Sequence, residues 1–173
     1  MARDFLNVIE RALMMGISDT INDAVTGDIY IYGEFPETEE IKFPAVIVQH
    51  TGSGFEEQFM GQKQTLGTST GTGEIYGISY TIHLIADKAN TIKIDTTGNG
   101  TPDTDYKQRR LLNWLMLNVS NAVTDLDWET YQEDSLEVTE RYLRGWRNIG
   151  FIKELQWYGA SADFLLFFKN FRS

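Results

Sequence analysis

The sequence contains no cysteine, only 2 histidines and only 3 prolines among its 173 residues. Without cysteine the chain cannot form a disulfide, bind zinc through thiolates or use a thiol nucleophile. Basic residues are also scarce, since 15 lysines and arginines stand against 25 aspartates and glutamates, a net charge of −10. This sign repels phosphate backbones and anionic headgroups, so the composition argues against a protein that grips nucleic acid or a membrane surface.

Long apolar runs are missing as well. A membrane span needs about 18 consecutive apolar residues, which the sequence does not offer, and its start does not lead into the apolar core of a signal peptide. The chain is nevertheless 42% hydrophobic and 13% aromatic. A chain of this size can bury roughly 70% of its unfolded surface, so we expect one domain over residues 1–173, made in the cytosol.

Apolar periodicity predicts two long amphipathic helices. Apolar side chains recur at three- and four-residue steps over residues 5–25, and again over residues 106–123 behind an acidic start at Asp103 and Asp105. Strand patterns are predicted for residues 29–32, 43–48, 75–86, 151–157 and 162–168, the last two forming a hairpin with a turn at Gly159. Residues 137–143 fit a strand or a helix equally well, and we prefer a strand.

This order of elements predicts an α+β fold in which a single, mainly antiparallel β-sheet carries both helices on one face. A long protruding loop completes the prediction. Residues 52–73 have few large apolar side chains and end in a tract of glycine, serine and threonine, so they cannot bury enough surface to offset the entropy of ordering. We expect this loop to be mobile in the free subunit and to become ordered against a partner.

Two features of the sequence resemble parts of known catalytic or metal sites, but neither is good evidence for such a site here. Gly67-Thr-Ser69-Thr-Gly71 matches a hydrolase nucleophile elbow, but it lacks the preceding buried strand and the following helix that the elbow requires. His50 and His83 lie on two strands that pair in the predicted sheet, and two histidines are too few for a metal site without carboxylates beside them. Since no nucleotide-binding loop or metalloprotease motif occurs either, we expect no enzyme.

An Asp- and Gly-rich segment from Asp95 to Asp105 has oxygen-bearing residues around a central glycine, a pattern that can wrap calcium. Asp95, Asn99 and Asp103 match ligand positions, whereas Tyr106 stands where a bidentate glutamate belongs. The segment fits a hairpin turn equally well. No cofactor is expected beyond weak binding of calcium by these three residues.

Arginine and aromatic residues are interleaved near the end of the chain, at Arg141, Tyr142, Arg144, Trp146, Arg147 and Trp157. Such a mixture can stack bases and neutralise phosphates, but arginine, tryptophan and tyrosine are also enriched at protein interfaces. An acidic subunit with a local basic and aromatic patch can dock on the acidic surface of another copy. We therefore predict that these six residues form an interface between copies.

In its order of elements the chain resembles the tail terminator proteins of long-tailed double-stranded DNA viruses, which share an architecture more than a sequence. The resemblance covers nearly the whole chain and contains no specific motif. It rests on the first helix, the strand at residues 43–48, the long loop before the strand at residues 75–86, the helix at residues 111–123 and the closing hairpin. Residues 87–105 and the acidic stretch at residues 129–140 depart from the compact pattern of this family.

The resemblance implies a structural virion protein with no catalytic residues and no membrane partner. Such a subunit forms a ring of identical copies, a hexamer in this family, which caps the tail tube and joins it to the head-completion proteins of the neck. DNA passes through the ring without specific binding, and the ring is assembled in the host cytoplasm and kept at the head–tail junction of the virion. The alternatives are another head–tail connector or tail subunit, or a calcium-binding accessory module.

Overall fold

The computed structural model describes residues 5–23, 25–26, 28–37, 40–55, 63–66, 69–128 and 136–172. Two helices and ten strands account for most of these residues. In chain order they are α1 (Phe5–Asn22), β1 (Val25–Thr26), β2 (Tyr30–Tyr32), β3 (Ala45–Phe55), β4 (Lys63–Leu66), β5 (Ser69–Asp87), β6 (Thr91–Ile94), β7 (Thr104–Lys107), α2 (Gln108–Asp125), β8 (Leu136–Leu143), β9 (Arg147–Ile152) and β10 (Trp157–Arg172). The predicted α+β class is confirmed, and so is the strand preferred for residues 137–143.

The main sheet has seven strands, and its path runs β2-β3-β5-β10-β8, with β4 on β5 and β9 on β10. Its pairs are antiparallel except for β2 and β3, which run parallel. Strands β5 and β10 form the centre and stay in register from Trp157 opposite Asp87 to Arg172 opposite Thr72. The strand predicted at residues 162–168 is therefore the inner part of the much longer strand β10.

Both helices pack on one face of this sheet, as predicted. Helix α1 lies beside β2 and β3, α2 lies over β5 and β10, and the two helices contact each other. The even-numbered residues of β5 from Tyr76 to Ala86 are buried in the core between the sheet and the helices. This is the alternation expected of an antiparallel strand with one covered face.

A close contact between the helices requires a glycine. A Cβ placed on Gly16 in α1 would collide with Cδ1 of Leu126, the residue that directly follows α2. Glycine inside a helix costs about 1 kcal/mol relative to alanine. Here it lets the buried Leu126 side chain lie directly against the backbone of α1.

A second, three-stranded sheet with the order β1-β6-β7 departs from the predicted single sheet. Its middle strand buries Ile92 and Ile94 and exposes Thr91 and Lys93. No strand was predicted between residues 87 and 103, because a four-residue strand is too short for its period to stand out. Strand β7 also contains Asp105, so this acid and Asp103 precede α2 instead of starting it.

The predicted loop at residues 52–73 is largely strand where the structure describes it. Strand β3 continues to Phe55, β4 spans residues 63–66 and β5 begins at Ser69, while residues 56–62 and 67–68 lie outside the described residues. The prediction of a loop from the low apolar content was wrong, because pairing with β5 supplies backbone hydrogen bonds that do not depend on apolar side chains.

The turn predicted at Gly159 lies elsewhere. Gly159 is inside β10, opposite Ile85 on one side and Gly150 on the other, where the register of β9 shifts. A glycine within a strand often marks such a bulge, which local sequence cannot distinguish from a turn. The chain reverses at residues 153–156 instead, where Gln156 has a φ of 58°.

Candidate interaction surfaces

The six predicted interface residues lie in one region but face two ways. Arg141 and Trp146 point to the helix side. Nη1 of Arg141 donates a hydrogen bond to the carbonyl oxygen of Leu126 at 2.7 Å, and Nε1 of Trp146 donates one to Oγ of Ser120 at 2.8 Å. These two residues tie the strands β8 and β9 to helix α2, so they have an internal structural role.

Tyr142, Arg147 and Trp157 lie on the opposite face of the sheet. Tyr142 is 52% exposed, and its ring packs edge-on against Phe167 at a centroid distance of 6.5 Å. The guanidinium of Arg147 pairs with the carboxylate of Asp163 at 3.1 Å. Trp157 contacts Phe43 at a centroid distance of 5.0 Å.

The remaining predicted residue, Arg144, lies in the connection between β8 and β9. Its backbone N–H donates to the carbonyl oxygen of Asp163 at 2.8 Å, while its side chain is exposed. The backbone of Arg144 is therefore held in place while its charge faces solvent.

A polar cluster that the sequence analysis missed occupies the face that carries Arg147. Nε2 of His83 lies 3.2 Å from Oε1 of Gln49, and the hydroxyl of Thr81 donates to Oδ1 of Asp163 at 3.0 Å. The ring of Phe35 packs edge-on against His83 at 4.8 Å between centroids. The odd positions of β5 were predicted to face away from the core, but their partners on β3 and β10 could be found only from the strand register.

Burial lowers the pKa of His83, the nearby Arg147 guanidinium lowers it further, and Asp163 opposes them. Ser161 lies opposite His83 in the register, and Asp163 is two residues further along β10. Within the described residues, however, the imidazole bonds to Gln49 and the carboxylate bonds to Thr81 and Arg147. The cluster holds its members to one another and leaves no hydrogen-bonded pair of nucleophile and base.

His50 and His83 do not meet, although they lie on paired strands. His50 stacks on the core side against Tyr80, with 5.7 Å between the ring centroids. In the part of the chain that the structure describes, no group of three acidic or histidine side chains is placed to hold a metal ion. A metal shared by the two histidines is thus contradicted by their opposite faces.

Glu10 interacts electrostatically with the core-side histidine and with Glu34. Burial raises the pKa of Glu10, the charge of His50 opposes the rise, and Glu34 adds to it. The Glu10 carboxylate lies against Gly33, because a Cβ built on that glycine would stand 2.5 Å from Oε1. The buried hydroxyl of Tyr80 has no hydrogen-bond partner within the described structure.

The three predicted calcium ligands, Asp95, Asn99 and Asp103, lie in the connection between β6 and β7. The carboxylate of Asp95 accepts backbone N–H groups from Thr97, Gly98, Asn99 and Gly100 at 2.7–3.4 Å, and the Thr97 hydroxyl as well. Oδ1 of Asn99 accepts the N–H of Thr101, and Oδ1 of Asp103 accepts the hydroxyl of Thr104. The loop's own donors therefore occupy oxygens that a cation would need, and weak calcium binding stays a prediction.

Ser69 is the first residue of β5 and pairs with Leu66 of β4. A nucleophile elbow needs a strand that leads through a sharp turn into a helix, whereas the backbone here enters a strand directly after Ser69.

Strand β5, which begins at Ser69, is much longer than helix α2. At about 3.3 Å per residue, the 19 residues of β5 span about 60 Å, whereas at about 1.5 Å per residue the 18 residues of α2 span about 27 Å. Strand β4 makes its main contacts with β5 and β10. We call the described residues 63–66 and 69–74 the β-arm, because β5 here runs on past Tyr76, the first of its described buried positions, and pairs with β4.

No known protein family has a model that matches this sequence, and no curated protein matches it significantly. Among the helices that the structure describes, neither is long and apolar enough to cross a membrane.

Proposed function

We propose that the chain is a structural subunit of a long-tailed double-stranded DNA virus, in which identical copies form a ring that caps the tail tube and joins it to the head-completion proteins. The ring is a hexamer, has no enzymatic activity and is located at the head–tail junction. The observation that carries the proposal is the β-arm. On β5 the β-arm has six residues, 69–74, which at about 3.3 Å per residue extend the sheet about 20 Å beyond the described buried positions of this strand, the first of which is Tyr76.

A strand ladder on its own is marginally stable in water, because it needs a covered face to bury its apolar side chains. An arm of this kind is therefore suited to gain its covering layer from another molecule. In a ring the neighbouring subunit supplies that layer, and at the end of a tube the tube protein does. The predicted role of residues 52–73 as a contact segment thus stays, with strands in place of a loop.

The open face of the sheet supports the same proposal. The half-exposed Tyr142 with Phe167 gives this face an aromatic contact point, and tyrosine is a residue that anchors interfaces. The polar groups beside it are engaged with one another instead of being arranged around a substrate. These features fit a surface for association better than an active site.

The net charge of −10 is compatible with a ring through which DNA passes. A negative lumen repels the phosphates and leaves the DNA free to move. Another connector of the same virion would share this property, so position in the particle distinguishes the two. Labelling the protein in intact virions and imaging them by electron microscopy decides between the end of the tail tube and another level of the neck.

The test of function uses the full chain and a variant without most of the arm. Replacing residues 56–75 by Asn-Gly, a two-residue hairpin connection, joins β3 directly to the core part of β5. We expect the wild-type chain to bind at one end of purified tail tubes and the variant to lose this binding. Because the deleted residues lie beyond Tyr76, the first described buried position of β5, the melting temperature of the variant should stay close to that of the wild type. Binding that survives in a folded variant would contradict the proposal.

A further inference from the structure

Two polar groups meet between helix α1 and the sheet without a hydrogen bond to either of them. Tyr80 of β5 is only 1% exposed, and its hydroxyl has no hydrogen-bond partner within the described structure. Burial and then the charge of Glu10 raise the pKa of this hydroxyl, so the Glu10 carboxylate lies close to it. No described residue donates a hydrogen bond to that carboxylate. Because a buried polar group without a partner is destabilising, this pair indicates a group supplied from outside.

The backbone of Gly33 gives the Glu10 carboxylate its place. A Cβ on this glycine, which directly follows β2, would stand 2.5 Å from Oε1 of Glu10 and 3.4 Å from Sδ of Met14. Any larger residue at this position would displace the carboxylate. Glycine therefore keeps a charged group of α1 directly against the chain that leaves the edge strand β2.

The same place is open to solvent. The ring of His50 lies 5.7 Å from the ring of Tyr80 between centroids, and His50 is exposed while Glu10 is partly exposed. Glu34 is exposed as well, and its charge raises the pKa of Glu10. An incoming group can therefore reach Glu10 from solvent, and the hydroxyl of Tyr80 lies deeper. We call Glu10, Gly33, Glu34, His50 and Tyr80 the Glu10 site.

The chemistry of the Glu10 site favours a compact cation. Its two carboxylates and its hydroxyl oxygen accept hydrogen bonds, and its imidazole carries one positive charge at most. An anion would be repelled by the carboxylates. The head of a lysine side chain has three N–H donors, so it can donate to Glu10 and to the oxygen of Tyr80 together. Its thin four-carbon stem also suits a hydroxyl that lies below the surface, whereas the guanidinium of arginine is a wider planar fork.

We infer that the Glu10 site binds a primary ammonium group, the end of a lysine side chain that another protein of the particle presents. Hydrogen bonds between an ammonium group and a carboxylate are stronger than those between neutral groups, and the cation also relieves the repulsion between Glu10 and Glu34. The ammonium site follows from the residues of this chain, while the kind of partner rests on the proposed function. A water molecule that bridges Glu10 and Tyr80 is the alternative that the experiment has to exclude.

The test uses the full chain, isotope-labelled in glutamate and tyrosine, and n-butylammonium chloride as a probe that resembles a lysine side chain. We expect the Cδ resonance of Glu10 and the Cζ resonance of Tyr80 to move saturably as the probe is added. Tetramethylammonium chloride carries the charge without an N–H donor, so it should leave both resonances in place at the same concentration. n-Butylguanidinium chloride should bind more weakly than n-butylammonium.

Two variants show whether the probe uses both groups. Glu10→Gln should raise the dissociation constant of n-butylammonium about tenfold or more, because a hydrogen bond to a charged group is lost. Tyr80→Phe should raise it as well, and in each variant the resonance of the other residue reports the binding. Glu154→Gln is the matched control, since this exposed glutamate lies between β9 and β10 on the other side of the sheet, and it should leave the dissociation constant unchanged.

Three results overturn the inference: no saturable shift, which means that only water bridges the two groups, equal shifts with tetramethylammonium, or tighter binding of n-butylguanidinium. Since Tyr80→Phe removes a hydroxyl without a described partner, its melting temperature should stay close to that of the wild type, and this variant serves if Glu10→Gln does not fold. A chain that binds the probe but not tail tubes overturns the proposed function and keeps the ammonium site. A chain that binds tail tubes but not the probe overturns the ammonium site alone.

Discussion

The guanidinium of Arg141 binds the carbonyl oxygen of Leu126 at 2.7 Å and so fixes the end of helix α2 to strand β8. The last carbonyl groups of a helix have no partner within it, and a cation near them also interacts favourably with the helix dipole. Leu126 in turn packs into the space that Gly16 leaves in helix α1. One arginine thereby connects the sheet edge to both helices.

Replacing Arg141 by methionine should reduce the free energy of unfolding by about 1.5–3 kcal/mol, since a hydrogen bond to a charged donor is lost and a carbonyl is left without it. Urea denaturation measures this change. Arg144→Met is the matched control, because its side chain is exposed, and surface substitutions usually stay within about 0.5 kcal/mol. Equal effects of the two substitutions would contradict the role of Arg141.

Gly16→Ala should destabilise the fold by about 1–3 kcal/mol, since an added methyl group in a well-packed contact forces its neighbours to move. The gain in helix propensity of about 1 kcal/mol opposes this cost. Gly145→Ala serves as the control, because a Cβ there meets nothing within 4 Å. Thermal unfolding of the two variants compares them, and a Gly16→Ala protein more stable than the wild type would show that Leu126 can move away.

The long elements were predictable because their periods repeat many times. Helix α1, helix α2 and the alternating part of β5 each carry enough apolar positions to define a face. The short strands β1, β6 and β7 were not predicted, because their few apolar residues stand among polar ones, whereas the short strand β2 lies in the apolar run 29–32. Their pairing is decided by tertiary neighbours, which local sequence does not contain.

The sequence did not separate the candidate interface residues that face solvent from those that face the helices. Arginine and aromatic content could not tell that Trp146 would turn to Ser120 while Tyr142 stays exposed. Residues of β8 and β9 alternate between the faces, and the irregular register of β8 and β9 on β10 shifts that alternation. A substitution of Trp146 is therefore unsuitable as an interface test, because the hydrogen bond of this tryptophan to Ser120 stabilises the subunit itself.

The Asp95 loop should lose its order as the pH falls. Although desolvation acts against it, the N–H groups of Gly100, Thr97 and Gly98 together lower the pKa of Asp95. Protonation removes the charge that these donors bind, so the stabilisation is complete above the unfolded pKa and is lost as the pH falls through the folded value. We expect the amide resonance of Gly100 to report this titration, and a resonance that does not move with pH would contradict it.

Calcium should bind the same loop only weakly. Its ligands would be the oxygen lone pairs of Asp95, Asn99 and Asp103 that the loop's own hydrogen bonds do not use. The missing bidentate acid and the internal hydrogen bonds of Asp95 both reduce affinity. Calorimetry at millimolar calcium should give little heat, and Asp95→Asn should abolish it. Heat that persists in this variant would place the binding elsewhere in the chain, whereas no heat in the wild type would leave the loop as a turn.

The last prediction concerns His83 and the pH dependence of stability. Because burial and then Arg147 lower its pKa in the folded state, the unfolded chain binds the proton more readily near the ordinary value of about 6.5. The contribution of neutral His83 is therefore complete above that pH and is lost as the pH falls below it towards the folded value. His83→Gln removes the titrating group and keeps a polar side chain beside Gln49.

The measurement compares the melting temperatures of the wild type and of His83→Gln from pH 7.5 to pH 5. The difference, wild type minus variant, should decrease steadily as the pH falls, since protonation affects only the wild type at this position. The carboxylates of the chain titrate in both proteins, so their effects on the melting temperature cancel in the difference. A chemical-shift titration of the imidazole in Asp163→Asn should show a pKa lower still, because this carboxylate holds the value up. A difference in melting temperature that stays constant or grows towards low pH would contradict this prediction. It would mean that the pKa of His83 is not lowered in the folded chain, despite its burial and its contact with Phe35.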